Sequence, residues 1–433
     1  MNEKLNRRNF LGKAALGAAA VTIIPRHVMG GKGFVAANDR INLGFIGTGK
    51  QGGILLNYFA DNCKDLVPVA ACDVYKTKLD RFVEQAKTSL AKNGHATARM
   101  QAYEKYRDLL ANPDVDAVVI AAPDHWHAQM AVDAAKAGKD IYCEKPMALT
   151  VAEGRAMVEA TRKYKRVFQT GNMQRSWRNF RHAVELVRNG YIGEIKEINV
   201  SVGDPVIQCN LPSQKAPEAL NWDLWVGPSL YRDFHAELAP PVEVDVYPNW
   251  RNYRNFGGGM VTDWGAHMFD IAQWAMGMDE SGPVEFIPPE KPAKRGLKMV
   301  YENGVVVNHV DWGDFNAVQF IGTEGKVEIS RSFLRTFPNE KLAEQALKET
   351  DERVYYSDNH YQDWVKAMRT REKPISDVET GHRTASMCNL ANIAYELQRP
   401  LSWDPKKEEF KNDQFANLMR TRPFRGQWDF TDF

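Results

Sequence analysis

The sequence predicts an α/β protein with a doubly wound parallel sheet in its first part and antiparallel strands packed with helices in its second. Three observations predict this. Ile41-Asn42-Leu43-Gly44-Phe45-Ile46 reads as a buried strand that runs into Gly47, Gly49 and Gly52 and then into an apolar helix opening. From Asn38 to about Lys165, strand and helix patterns alternate, as a parallel sheet covered on both faces requires. After Gly193, short strands follow one another through tight turns, with Gly322-Thr323-Glu324-Gly325 as one hairpin.

The glycine spacing asks for a dinucleotide. Gly47 turns the backbone, Gly49 lets main-chain N–H groups approach a pyrophosphate, and Gly52 lets the helix press on the strand. The helix N-terminus then offers unpaired N–H groups and a positive dipole end to the phosphates. Thr48, Lys50 and Gln51, between the glycines, are expected to share in the contact. A second strand over 66–72 ends at Asp73, 21 residues beyond Gly52, where a carboxylate accepts both ribose hydroxyls of NAD and repels a 2′-phosphate. Lys76 and Lys78 follow closely, so NADP is disfavoured and not excluded.

A chain of 433 residues suggests two domains, and 44% hydrophobic with 26% charged residues is an ordinary globular composition. With 56 basic and 55 acidic residues and no basic block, nucleic acid and anionic membrane are set aside as partners. Residues 1–37 read as an export signal: Arg7-Arg8-Asn9-Phe10-Leu11 stands before an alanine-rich apolar run, which points to the twin-arginine route and a periplasmic destination. The competing reading is a basic tail with a short anchor. Five scattered cysteines form no C-x-x-C pair, so neither a disulfide framework nor a zinc cluster is expected.

The remaining elements follow in order. Helices are expected over 75–91, 103–111, 127–137 and 151–164, with strands over 115–122 and 140–143. Pro123, His127, Glu144 and Lys145 all fall at carboxyl ends of strands, where ligands bind in such sheets. The second domain, 166–433, holds a long irregular stretch over 204–249 that carries Trp222, Trp225 and Tyr231 and leads to Trp250; it is expected to form an ordered wall of a binding site. A helix over 260–276 and helices over 360–371 and 377–398 complete the fold.

Two groups carry candidate chemistry. Lys145, after a buried strand and before Pro146, can hydrogen-bond a substrate hydroxyl, or can be a solvated lysine at a strand end. Asp263 and His267, four residues apart, share one helix face, so His267 can move a proton while Asp263 or Asp270 orients its ring. A capping aspartate and a core histidine are the alternatives. No third ligand with suitable spacing stands nearby, so no metal is expected.

These motifs, Gly47-Thr48-Gly49-Lys50-Gln51-Gly52, Glu144-Lys145-Pro146, Gly171-Asn172-Met173-Gln174-Arg175-Ser176, 221–228 and 263–267, occur in one order. In that order the chain resembles the glucose–fructose oxidoreductase / inositol dehydrogenase family, in particular its exported bacterial branch. The resemblance implies an N-terminal Rossmann domain, 38–165, a C-terminal α/β domain with a mainly antiparallel open sheet, a nicotinamide cofactor and a carbohydrate or cyclitol substrate. Carried over by residue, it implies Lys145 as the catalytic lysine and Asp263 with His267 as the acid/base pair. Gln174, Arg175 and Trp250 join Asp263 and His267 as expected substrate contacts. A homo-oligomeric dehydrogenase or reductase is the first expectation. A glycosidase that uses bound NAD transiently is the second, and a non-catalytic sugar-binding module the third.

Overall fold

The glycine-rich turn lies between a strand buried on both faces and a helix that packs back on it. A computed structural model describes residues 40–93, 100–290 and 293–426. The expected export signal, 1–37, lies outside the described residues. The first layer runs β1 (Ile41–Ile46), α1 (Lys50–Asn62), β2 (Leu66–Cys72), α2 (Lys76–Lys92), β3 (Gln101–Tyr103), α3 (Tyr106–Leu110), β4 (Ala117–Ile120), α4 (Asp124–Lys136), β5 (Asp140–Cys143), α5 (Val151–Lys163) and β6 (Phe168–Thr170).

These six strands form one sheet in the order β3-β2-β1-β4-β5-β6. The β1/β4, β2/β3, β4/β5 and β5/β6 pairs are parallel. Every residue of β4 and β5 is buried, which explains their unbroken apolar sequence. The strand order reverses between β1 and β4, and a crevice opens there at the carboxyl ends. Helix α2 buries Leu79, Phe82, Ala86 and Leu90, one stripe at helical spacing. Phe82 meets Phe45 of β1 with ring centroids 5.2 Å apart, a burial contributing roughly 2–3 kcal/mol. Thr150 caps α5 by accepting from Glu153 N at 3.2 Å.

Beyond α6 (Arg178–Arg188) lies a nine-stranded sheet in the order β13-β12-β11-β7-β10-β9-β8-β14-β15. Its strands are β7 (Ile195–Ser201), β8 (Glu285–Ile287), β9 (Leu297–Val300), β10 (Val306–His309), β11 (Ala317–Gly322), β12 (Lys326–Ser330), β13 (Leu334–Phe337), β14 (Leu401–Asp404) and β15 (Glu409–Phe410). The β7/β10 pair is parallel and the other named pairs are antiparallel. The helices are α7 (Trp222–Val226), α8 (Gly259–Asp263), α9 (Gly265–Ala275), α10 (His360–Thr370), α11 (Val378–Leu397) and α12 (Gln414–Leu418). Alternation along the strands sends Ile198, Val200, Val307, Val318 and Phe320 into a core with α6, α9 and α11. Asn199, Asn308 and Gln319 point to the other face and hydrogen-bond across it.

The α/β class and the two-sheet arrangement follow the sequence reading, and three elements differ from it. The helix expected over 103–111 starts only at Tyr106, because Gln101–Tyr103 pairs with Ala70–Cys72 as an edge strand. The first sheet runs past residue 165, since β6 pairs with β5. The helix expected over 260–276 is two helices abutting at Trp264. All five cysteines are buried free thiols. Among the described residues no helix is long and apolar enough to cross a membrane.

Among the described residues six imidazoles are buried: His125, His127, His267, His309, His360 and His382. Burial pushes each below its ordinary value of 6.5, to about 3 for His125 and His360 and about 4 for His127 and His309. The unfolded chain protonates these rings as pH falls through 6.5, while the folded chain resists. Their contribution to stability is therefore present above that pH and lost below it. Burial raises the Asp124, Glu144 and Asp363 carboxyls, and these three act in the opposite sense but are outnumbered. The melting temperature, followed by circular dichroism, is expected to fall as pH is lowered from 6.5 towards 4. A flat or rising profile would contradict the assignment of neutral buried rings.

Candidate active site

The turn after β1 is shaped by what its glycines touch. Gly47 has φ +90°, donates to Cys72 O at 2.9 Å, and leaves no room for a Cβ, which would come 2.6 Å from the Ala121–Ala122 backbone. A Cβ on Gly52 would collide with the Gly47 carbonyl oxygen, so this glycine lets α1 press on the turn. Gly49 is different: a Cβ there would project into open space. Gly49 is also the N-cap of α1 and no side chain caps that helix, so its first N–H groups face the same space. This cradle fits a dinucleotide pyrophosphate.

Beside it, Asp73 at the end of β2 accepts from Thr48 N at 2.7 Å and Thr48 Oγ1 at 2.9 Å, while Tyr75 N donates to its other oxygen at 2.9 Å. Three donors hold the carboxylate at the rim where a ribose would lie. A cavity of about 370 Å³ opens here, lined by Gly47, Gly49, Lys50, Gln51, Asp73 and Pro123 on one side. The opposite wall is Leu238 to Arg251, the irregular segment in which the sequence placed a binding-site wall. That strap is fastened to the turn and to α2: Lys50 pairs with Asp245 at 3.2 Å, Tyr247 donates to Gln51 Oε1 at 3.2 Å, and Arg81 of α2 donates to Val242 O at 3.3 Å. Its base rests on the stacked rings of Trp222 and Trp225, 4.6 Å apart.

Arg251 carries the cavity wall on to Asp263 and its partners. Lys145, just past β5, donates to both Asp263 O and Asp263 Oδ1 at 2.9 Å. Arg251 Nε lies 3.3 Å from the same Oδ1. Burial alone would raise the Asp263 carboxyl; Lys145 and Arg251 outweigh it and hold the group below its usual range. Glu144 turns the other way and accepts from Gln51 Nε2 at 2.9 Å, and burial raises its carboxyl. His267 begins the buried face of α9. Burial first, then Lys145 and Arg331, keep its ring neutral well below the ordinary value. Arg331 Nη2 donates to His267 Nε2 at 3.2 Å, which leaves the ring proton on Nδ1, a buried atom with no protein partner.

Lys145, Asp263 and His267 are neighbours, and none of the three lines the cavity; Arg251, which lies over Trp250 and lines it with that ring, connects them to it. Neither Asp263 nor Asp270 orients the His267 ring as expected. Asp263 is held by Lys145 and Arg251, and Asp270 by Arg175 and Thr384. Arg175, expected at the substrate, is fully buried and committed to Asp270 at 2.7 Å and to Asp279 at 2.8 Å. Its work is to tie the short turn Met173–Ser176 to α9. Gln174 is likewise buried, with its amide nitrogen 3.9 Å from Met268 Sδ. His127 does not line the cavity; its ring nitrogens face Ala122 O and Pro146 O, each at 2.9 Å, and so fix the turn that carries Lys145. Sequence reasoning missed Arg251, next to the Trp250 it singled out, and Arg331, for which no local signal exists.

Comparison with known proteins accords with this geometry. Residues 41–172 match the oxidoreductase-family NAD-binding Rossmann fold, and residues 204–430 match the C-terminal alpha/beta domain of the same family. A glycosyl hydrolase family 109 protein of Shewanella pealeana is 33% identical over 209 residues, 44% of each chain. The myo-inositol 2-dehydrogenase of Thermotoga maritima is 28% identical over 240 residues, 55% of each chain. The chain thus spans about half the length of the curated relatives it matches. The crystal structure of the WlbA dehydrogenase from Bordetella pertussis, in complex with NADH and UDP-GlcNAcA, shares the fold with a TM-score of 0.58 at 16% identity, over 84% of this chain and 99% of that one.

The glycines make a paired prediction. Gly49→Val should weaken NAD binding at least tenfold by calorimetry while leaving the melting temperature near wild type, because its side chain fills only the cradle. Gly52→Val should lower the melting temperature, because its side chain strikes backbone. Equal effects of the two on both readouts would contradict the separation of roles.

Proposed function

Because this chain belongs to the Gfo/Idh/MocA oxidoreductase family, we propose that it is an NAD-dependent dehydrogenase or reductase acting on a secondary hydroxyl or ketone of a sugar, glycoside or cyclitol. The observation that carries the reading is the Lys145–Asp263 pair near His267, joined through Arg251 to the wall of the dinucleotide cavity. The bound nicotinamide supplies the hydride acceptor or donor. Lys145 Nζ has three protons and spends two on Asp263, so one remains for the substrate oxygen. That donor stabilises alkoxide character as the hydroxyl loses its proton. His267, kept neutral, takes the proton at Nε2.

Asp73 favours NAD over NADP by charge, while Lys78 and Arg81 on the same cavity wall soften that preference. The strap from Leu238 to Arg251 shuts water from the dinucleotide and supports a slowly exchanging cofactor. Export by the twin-arginine route belongs to the same proposal and rests on Arg7-Arg8-Asn9-Phe10-Leu11. So does self-association, with the hydrogen-bonded face of Asn199, Asn308 and Gln319 as the candidate surface.

A second reading, a glycosidase that oxidises and re-reduces its substrate with bound NAD, is supported by the family 109 relative. Absorbance in the reduced-nicotinamide band, recorded as sugars and aryl glycosides are added to protein and NAD, separates the two. A lasting rise with some sugars supports the dehydrogenase, and aglycone release without a lasting rise supports the glycosidase. Lys145→Met is expected to lower kcat/KM by ~10²- to 10⁴-fold and to change NAD affinity by only a few fold. Full turnover in that variant would refute the role of Lys145.

A further inference from the structure

Arg331 stands in the turn between β12 and β13, at the solvent side of His267. Its guanidinium lies over the ring of Trp264, 4.6 Å from the centroid, and over Trp177 at 5.5 Å. Among the described residues it makes no ion pair. Glu144 and Asp263 are near enough to act on it electrostatically, yet Glu144 bonds Gln51 and Asp263 bonds Lys145 and Arg251. Its described hydrogen bond goes to a neutral imidazole. A guanidinium lying over two indoles, opening to solvent beside His267 and lacking an ion-pair partner of its own among the described residues, has the form of a receptor for an anion.

We propose that Arg331 binds a carboxylate on the substrate, so that the site takes acidic sugars of the uronate type, free or as a glycoside, in preference to their neutral counterparts. The inference rests on the carbohydrate reading above and sharpens its substrate class. A carboxylate fits better than a phosphate. One planar fork matches two oxygens, whereas a phosphate dianion calls for several converging donors; Arg251 is held on Asp263, and the one donor Lys145 keeps goes to the reacting oxygen. The contact also bears on the proton path. In the structure Arg331 covers His267 Nε2, the lone pair that must receive the hydroxyl proton. A carboxylate that draws the guanidinium to itself uncovers that nitrogen, which couples recognition of the acid group to readiness of the base.

The test uses the full chain loaded with NAD. Glucose, glucuronate, their methyl glycosides and glucose 6-phosphate are compared by calorimetric binding and by kcat/KM, in wild type, Arg331→Lys and Arg331→Met. Glucuronate or its methyl glycoside is expected to bind at least about tenfold more tightly than the neutral partner. That ratio should collapse towards unity in Arg331→Met and survive in part in Arg331→Lys, which keeps the charge and loses the fork. Which of the free acid and the glycoside binds better tells a monosaccharide substrate from a glycosidic one. Equal binding of neutral and acidic sugars, an acid preference that persists in Arg331→Met, tighter binding of the phosphate than of the uronate, or no sugar binding at all would each overturn the proposal. An Arg331-dependent acid preference in binding without any redox turnover would uphold it while overturning the dehydrogenase reading.

Discussion

One carboxylate sets the geometry of this molecule's reactive end. Asp263, at the last residue of α8, receives Lys145 from the end of β5 and Arg251 from the base of the strap. Each partner belongs to a different part of the architecture: the dinucleotide sheet, the cavity wall and the helix pair on the second sheet. Both side chains of the Lys145–Asp263 pair are largely buried, and removing one partner of such a pair costs roughly 3–5 kcal/mol because a charge is left unanswered. The same arrangement leaves Lys145 with one free donor, while Arg331 donates to His267 Nε2 and leaves that nitrogen without a proton.

What the sequence made legible was whatever is written within a few residues. Gly47, Gly49 and Gly52 could be assigned separate tasks because each task is local, and their surroundings differ as those tasks require. Lys145 was a candidate from the strand before it and the proline after it, and Asp263 with His267 from a spacing of four, and the structure places the three near one another. Arg175 was misread because its exposure is decided by Asp270 and Asp279, which stand about a hundred residues further on. Arg331 was invisible for the same reason, being brought to His267 by a strand turn 64 residues away. The strands β8, β13, β14 and β15 are two to four residues long, too short for alternation to show.

The strap shows how an irregular segment can be ordered and functional at once. From Leu238 to Arg251 it carries no regular strand or long helix, and its stability comes from its ends and its fastenings: stacked tryptophans beneath, Lys50–Asp245 and Tyr247–Gln51 above. Exposed ion pairs such as Lys50–Asp245 contribute little each, which suits a wall that has to part when a cofactor enters or leaves. Arg251 then links the strap to Asp263, so the position of the wall and the position of Lys145 depend on one another.

The most direct test of this account is single-turnover hydride transfer in Asp263→Asn, measured with NAD and a sugar that the wild type oxidises, alongside NAD affinity. Loss of the carboxylate frees Lys145 and Arg251 without touching the glycine cradle or Asp73. The account predicts a transfer rate lowered by ~10²- to 10⁴-fold, with a much smaller loss of NAD affinity from the release of Arg251, which also lines the dinucleotide cavity. A transfer rate equal to wild type would contradict the central place given to Asp263.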